Sequence, residues 1–226
     1  MINKIKTADE AVAAIGDGAT VMVGGFMACG TPEILIDAVV RKGPKNLTII
    51  CNDAGVPGRG VGKLLSNGQI KTLIASHVGL NPEVAQRMNT DVEADKLECI
   101  LVPQGTLAER IRCGGNGMGG FLTPTGVGTV VAEGKQTLTT GGKEYLLELP
   151  LRAEFALVRG SVTDESGNTT YNGTTQTFNP MMASAADYVI VGACEVVKVG
   201  AIDPNHVVTP GIFVDAVVGG EKKWQI

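Results

Sequence analysis

The chain has 226 residues, 44% of them hydrophobic, and a formal charge of −4 from 19 basic and 23 acidic side chains. That length suits one α/β domain over residues 1–226, burying roughly 70–75% of its unfolded surface. The acidic balance and the lack of a basic cluster exclude nucleic acid as a partner. No apolar run approaches the ~18 residues of a membrane helix and no signal peptide is recognised, so a cytoplasmic protein with reduced thiols and no membrane contact is expected.

Taken from the N-terminus, Thr7-Ala8-Asp9-Glu10 has the form of a capping box that opens a helix. Ala8, Ala11, Val12 and Ile15 recur at helical spacing and mark its buried face. Residues 19–23 form a short apolar run, the pattern of a fully buried strand. Gly24 and Gly25 end it where backbone turns sharply or lets something approach closely. Thr31-Pro32-Glu33 then starts a helix over residues 32–41. Thr31 is placed to cap it, Pro32 fits the first position, and Glu33 favours the positive end. Ile34, Leu35, Ala38 and Val39 are the face expected against the sheet, with Gly43 as the stop. The segment reads strand, glycine-rich loop, helix, an arrangement that presents backbone N–H groups to an anionic ligand.

Residues 47–51 (LTIIC) are a second buried strand, and residues 52–62 read as a mobile turn. Gly58-Arg59-Gly60-Val61-Gly62-Lys63 fails as a P-loop, because Pro57 stands at the first glycine position and Leu64 replaces Ser/Thr. Residues 71–75 read as a strand, 77–81 as a loop, 82–88 as a helix, 97–102 as a strand and 105–112 as a helix. Gly115-Asn116-Gly117-Met118-Gly119-Gly120 matches GxGxxG, yet no strand precedes it and Pro124 follows where a helix should continue, so a dinucleotide site is rejected. Residues 119–129 read as a long ordered surface loop, a type of segment that is usually functional. Residues 136–149 resemble a β-hairpin turning at Gly141-Gly142. A strand over 154–159, a turn over 164–168, a helix from Asn179-Pro180 through 186 and a last clear buried strand over 188–191 complete the chain. The expected fold is an open α/β domain: a mainly parallel sheet with helices on both faces and an added β-hairpin region.

Glycine supplies 31 residues, about twice the ordinary share, which fits either many tight turns or several loops that wrap a ligand. Cys29, Cys51, Cys99, Cys113 and Cys194 form no CxxC pair and are expected as buried structural thiols, with Cys29 left open because it lies in the glycine-rich loop. His77 and His206 are the only histidines, too few for zinc chemistry. No GxSxG is present, so a serine hydrolase is not expected. His77 lies before a loop with no nucleophile partner in sequence and is read as solvated.

The stretch DGATVMVGGFMACGTP, residues 17–32, fits a specific pattern: Asp/Asn, Gly, two free positions, three apolar residues, Gly-Gly-Phe, three free, Gly, one free, Pro. In this it resembles the family I CoA-transferases. The resemblance extends over nearly the whole chain, through ASHVGLNPE (75–83), VPQGTL (102–107), GGFLTPTGVGT (119–129) and VTPG (208–211). It points to the α subunit of the acetate or butyrate–acetoacetate type, and supports the layered fold shared with sugar-phosphate isomerases. The resemblance implies double displacement through an acyl-glutamyl anhydride and a glutamyl-CoA thioester. The family's nucleophile lies in Ser-Glu-Asn-Gly, which this chain lacks. Glu165-Ser166-Gly167-Asn168 holds those residue types in another order and reads as a turn.

By resemblance, then, this is the non-nucleophilic half of a heteromeric enzyme, with no catalytic residue of its own and a β subunit carrying the glutamate, as α2β2. CoA or acyl-CoA is its substrate and no tightly bound cofactor or metal is implied. Gly24, Gly25, Phe26, Met27, Ala28, Cys29 and Gly30 are the implied CoA-binding residues, with Phe26 as an apolar wall. Gly24 and Gly25 acting only in the strand–helix turn, with Phe26 in the core, is the alternative. Gln104, Thr125, Gly126 and Gly128 are further candidates for the shared cleft. Acetate, butyrate and acetoacetate are the acids considered, and an exposed apolar patch is expected where β docks. A sugar-phosphate sensor or isomerase of the same broad fold is the alternative function.

Overall fold

The computed structural model describes residues 3–222, and along them strand and helix alternate as the apolar runs require. The elements are α1 (Ala8–Ala11), β1 (Thr20–Val23), α2 (Glu33–Lys42), β2 (Leu47–Cys51), α3 (Val61–Ser66), β3 (Ile70–Ala75), α4 (Pro82–Met88), β4 (Glu98–Leu101) and α5 (Gln104–Gly115). They continue with β5 (Phe121–Thr123), β6 (Thr137–Thr140), β7 (Lys143–Glu148), β8 (Ala153–Asp164), β9 (Thr169–Thr170), α6 (Asn179–Ser184), β10 (Ala186–Val197) and β11 (Ala216–Gly219).

The main sheet has the order β11-β10-β8-β1-β2-β3-β4, with β9 added antiparallel to β8. All the other pairings in it are parallel. Side chains alternate across each strand, so Val21 and Val23 pack with Leu35, Leu64 and Leu73 in one core, while Met22 joins Leu107, Ile111 and Met182 in the other. Both faces are therefore covered, which is why these strands read as continuous apolar runs. A separate antiparallel sheet, β5-β7-β6, contains the hairpin at Gly141-Gly142. It is fastened to the main body by the Arg110 Nε–H, which donates to Leu149 O at 2.8 Å.

Chain order runs outward from β1 in both directions, through β2, β3 and β4 on one side and β8, β10 and β11 on the other. The β1/β8 boundary is thus the topological switch point, and ligands of open α/β sheets bind outside the carboxyl ends of the strands there. Val23 lies level with Cys51 and Leu157, so the loop at residue 24 emerges at this place.

Asn179, fully buried, locks that loop down. Its Nδ2 donates to Gly30 O and Thr175 O at 2.9 and 3.0 Å, and its Oδ1 accepts the Arg159 N–H at 3.0 Å. A Cβ on Gly24 would sit 1.7 Å from that same Oδ1. At Gly25, φ is 117° and a Cβ would lie 2.0 Å from Thr31 Oγ1. Space is what both glycines supply.

Several boundaries differ from the sequence reading. Thr31 does not cap α2: it is buried beneath Gly25, the N-cap is Pro32, and no side-chain cap comes from within the helix. Glu221 does that work instead, its carboxylate accepting the Ile34 N–H and the Lys222 N–H, each at 2.9 Å. Ile36 rather than Ile34 joins the fully buried face of α2. The Thr7 capping box is present, but α1 spans four residues and Ala8 is half-buried. Residues 52–62 contain the start of α3 and a base pinned by Asn81, whose Nδ2 donates to Ala54 O at 3.1 Å. β8 and β10 are 12 residues each, and β11 is a further buried strand beyond residues 188–191. β5 occupies part of the 119–129 loop. Of the thiols only Cys51 and Cys113 are buried, and burial pushes the Cys51 thiol well up; Cys29, Cys99 and Cys194 are half-buried.

Residues 164–168 form the expected turn. Burial works against the charged form of Asp164, but hydrogen bonds from Asn168 and Ser166 outweigh it and hold the carboxyl below its ordinary range. Glu165 instead pairs with Lys198 at 2.6 Å on the surface.

Gly24→Ala is expected to destabilise by about 3 kcal/mol or more, since its methyl overlaps Asn179 rather than a flexible neighbour; urea unfolding measures this. Burial raises the Glu221 carboxyl above its ordinary pKa, despite the hydrogen bonds it accepts. The folded state then holds a proton that the unfolded chain has released between the two pKa values. Stability from this group is complete below the unfolded pKa and declines as pH rises through the raised one. Glu221→Gln should flatten that decline as pH rises above the ordinary carboxylate range, while Glu221→Ala should cost about 1–2 kcal/mol through the lost cap.

Candidate functional site

The loop after β1 makes a tight reversal. Phe26 and Cys29 exchange two backbone hydrogen bonds of 2.8 Å each, and the residues between them, Met27 and Ala28, have φ of 50° and 63°. Positive φ at both central positions is the type I′ geometry, which normally selects Asn-Gly. A Met-Ala pair held there carries strain of order 1 kcal/mol per residue. Ala28 points inward and is 2% exposed, whereas Phe26 and Met27 are 38% and 45% exposed. Phe26 is therefore not a core residue: the reversal lifts two large apolar side chains off the sheet edge.

Asp53, at the carboxyl end of β2, holds the reversal in place. Its Oδ2 accepts the Met27 N–H at 2.9 Å and its Oδ1 accepts the Gly55 N–H at 2.8 Å, with the residue 5% exposed. Both oxygens are thus occupied by backbone donors, which makes this carboxylate a brace and not a nucleophile. The space left beneath the loop is about 10 Å³, so no ligand larger than a water fits below it. The outer face of the loop, formed by Phe26 and Met27, is the one left open.

A polar cluster stands beside the brace. Buried Asn52 accepts at Oδ1 from Gln104 Nε2 at 3.0 Å and from Ser76 Oγ at 2.9 Å. These residues come from the ends of β2 and β3 and the first turn of α5, which follows β4, so neighbouring parallel strands deliver them to one edge. Asp53 and His77 also form a backbone bridge, with the His77 side chain exposed.

Residues 24–30 and Gln104 are thereby brought to one edge, where Asp53 adjoins Asn52. Thr125, Gly126 and Gly128 belong to the loop between β5 and the hairpin; a Cβ at Gly126 would meet Val131 and Leu146, and Thr125 and Gly128 face solvent. No hydrogen bond among the described residues ties that loop to residues 24–30. Gly24, Gly25 and Gly30 have their open sides filled by Asn179, Thr31 and Thr175 O. Cys29 Sγ lies 3.6 Å from Thr174 Oγ1. Asn52, Asp53 and Ser76 were not singled out from sequence. The signal for them was the run of polar residues directly after two buried strands, at the end where α/β sheets bind ligands.

No described helix is long and apolar enough to cross a membrane. A family model described as Coenzyme A transferase matches residues 5–220. The chain is 50% identical over 218 residues to the acetate CoA-transferase subunit alpha of Escherichia coli K12, covering 96% of this chain and 97% of that one. It is 51% identical over 202 residues to the acetoacetyl-CoA:acetate/butyrate CoA transferase alpha subunit of Clostridium acetobutylicum, covering 89% and 91%. Among solved structures, an acyl-CoA transferase from Escherichia coli O157:H7 in a thioester complex with CoA superposes with a TM-score of 0.83 at 25% identity. That match takes in 98% of this chain and 48% of the other, so this chain spans about half of that polypeptide. Glutaconate coenzyme A-transferase from Acidaminococcus fermentans shares the fold, with a TM-score of 0.81 at 19% identity over 95% of this chain and 75% of its own. A mainly parallel sheet, a Gly-Gly-Phe reversal at its switch point and a match from residue 5 to residue 220 lead to one conclusion: the chain belongs to the coenzyme A transferase family.

Proposed function

We propose that this chain works as the non-nucleophilic α half of a transferase that moves CoA between a short-chain acyl- or 3-oxoacyl-CoA and a short-chain acid such as acetate, butyrate or acetoacetate. The observation that carries this reading is the braced reversal, which holds Phe26 and Met27 outward at the switch point. A β partner supplies the glutamate, in an α2β2 assembly. Its carboxylate attacks the thioester carbonyl, the C–S bond breaks, and CoA thiolate leaves an acyl-glutamyl anhydride. The thiolate then attacks the glutamyl carbonyl and releases the donor acid, giving a glutamyl-CoA thioester. The acceptor acid runs both steps in reverse.

A carboxylate is a weak nucleophile, so binding energy from remote parts of CoA must be used at the reacting carbonyl. Residues 24–30 would contribute here: Phe26 and Met27 give the pantetheine or acyl chain an apolar surface, and the Asp53 brace fixes that surface before the substrate arrives. Gln104, held by Asn52, offers an amide to a carbonyl or carboxylate oxygen at the same edge. Thr125, Gly126 and Gly128 stay as weaker candidates, for a cleft completed by the partner. Exposed Ile212 (87%) and Phe213 (42%), in the turn before β11, provide apolar surface of the kind a β subunit would cover. The sensor and isomerase alternatives rest on the broad fold alone, and no paired carboxylates at the site favour an isomerase.

CoA transfer from acetoacetyl-CoA to acetate or butyrate should require this chain and its β partner together, and activity from this chain alone would overturn the half-enzyme reading. In the reconstituted enzyme, Phe26→Ala is expected to lose about 1–3 kcal/mol of binding, seen as a roughly 5- to 150-fold rise in the acyl-CoA KM. Met27→Asn should relieve strain in the reversal and raise stability by up to about 1 kcal/mol in thermal unfolding, while losing part of the apolar contact and so raising KM.

A further inference from the structure

Beyond the end of β1, strands β8 and β10 continue side by side as far as Asp164 and Val197. A cleft of about 260 Å³ lies along this extension, lined by Arg159, Ser161, Asn172, Thr175, Cys194 and Glu195, and by Val162. It shares no lining residue with the space under residues 24–30, although Thr175 belongs to the turn that backs Gly30.

Arg159 is the unusual member. It is 4% exposed, and its Nη2 donates to Lys222 O at 2.7 Å and to Cys194 Sγ at 3.2 Å. Its Nε is buried and, among the described residues, without a hydrogen-bond partner. Among the described residues no carboxylate lies within ion-pair distance of it. Glu221 is near enough to be felt electrostatically, but its oxygens are taken by the Ile34 and Lys222 N–H groups. A buried guanidinium with one idle N–H and no carboxylate in direct contact is costly, and a bound anion would offset that cost. The planar fork of donors matches a carboxylate or a phosphate, and the Ser161, Asn172 and Thr175 side chains line the same cleft with hydrogen-bonding groups. Glu195 is exposed at the cleft, where solvent and salt weaken its repulsion of an anion.

We propose that the Arg159 cleft is an anion-binding site that takes a carboxylate or phosphate group, built into this chain and distinct from the Phe26–Met27 surface. It stands without the transferase reading, because it requires neither the partner nor turnover. Two ligand sources share this chemistry, a short-chain acid and the phosphates of CoA.

The test uses Cys194, half-buried in the cleft wall, as a reporter on the full-length chain without its partner. Its alkylation by iodoacetamide is followed by peptide mass at constant ionic strength, with acetate, butyrate, inorganic phosphate or S-methyl-CoA (whose sulfur cannot consume the reagent as a thiol would) added separately, and Cys99 serves as the internal control. An anion at ten times its Kd should slow Cys194 labelling about tenfold and leave Cys99 unchanged. Protection by acetate or butyrate assigns the site to the acid, and protection by phosphate or S-methyl-CoA assigns it to a phosphate. Arg159→Met, shown folded by circular dichroism, should abolish the protection. Protection that survives in that variant would overturn the proposal. So would unchanged labelling of the unmodified chain across all four additions, which decides the matter even if Arg159→Met does not fold.

Discussion

Asn179 under Gly24 is the contact on which the rest of the site depends. One side-chain amide satisfies backbone groups from three segments, namely the glycine-rich loop, β8 and the turn at residue 175. It does so in a space available only because residue 24 lacks a side chain. With those groups buried, leaving any of them unpaired costs about 1–3 kcal/mol, so the amide and the glycine hold each other in place. The loop is thereby pressed flat onto the sheet edge, and what protrudes is the Phe26–Met27 tip.

Strain and bracing are combined at that tip. Positive φ at Met27 and Ala28 disfavours the reversal locally, and two tertiary contacts oppose the strain: the Asp53 carboxylate on the Met27 N–H and the burial of the Ala28 methyl. A loop free to relax would let Phe26 fall back toward the sheet. A surface fixed in advance loses less conformational entropy when a ligand meets it, which is how a short segment can contribute to binding a long flexible molecule.

Much of this was legible in the sequence wherever local physics decides. LTIIC gave β2 and Pro82 gave α4, each with its observed ends, and Gly141-Gly142 gave the hairpin turn. Residues 17–32 disclosed strand, loop and helix, and with them the family. What stayed hidden depends on distant partners. Thr31 has the chemistry of a cap, yet Gly25 leaves room for its side chain underneath, and the cap comes from Glu221. β11 is a short apolar run whose strand character is set by pairing with β10. Asp53 and Asn52 looked like ordinary loop residues because their importance lies in which loops the parallel register places side by side. For Thr125, Gly126 and Gly128, resemblance suggested a shared cleft, whereas within this chain they belong to the edge of the smaller sheet.

The Glu221 cap also bears on the order in which the protein is built. Ile34 and Glu221 are separated by 187 positions, and Asn179 and Gly30 by 149. During synthesis the signature segment leaves the ribosome well before its clamp and its cap, which lie that much further along the chain. Contacts of such long range form late, since the intervening chain must first be ordered. Nascent chains would therefore carry a Gly-Gly-Phe loop with its apolar tip in no fixed position until Asn179 and Glu221 dock. The family's most recognisable segment is translated well before the residues that make it rigid.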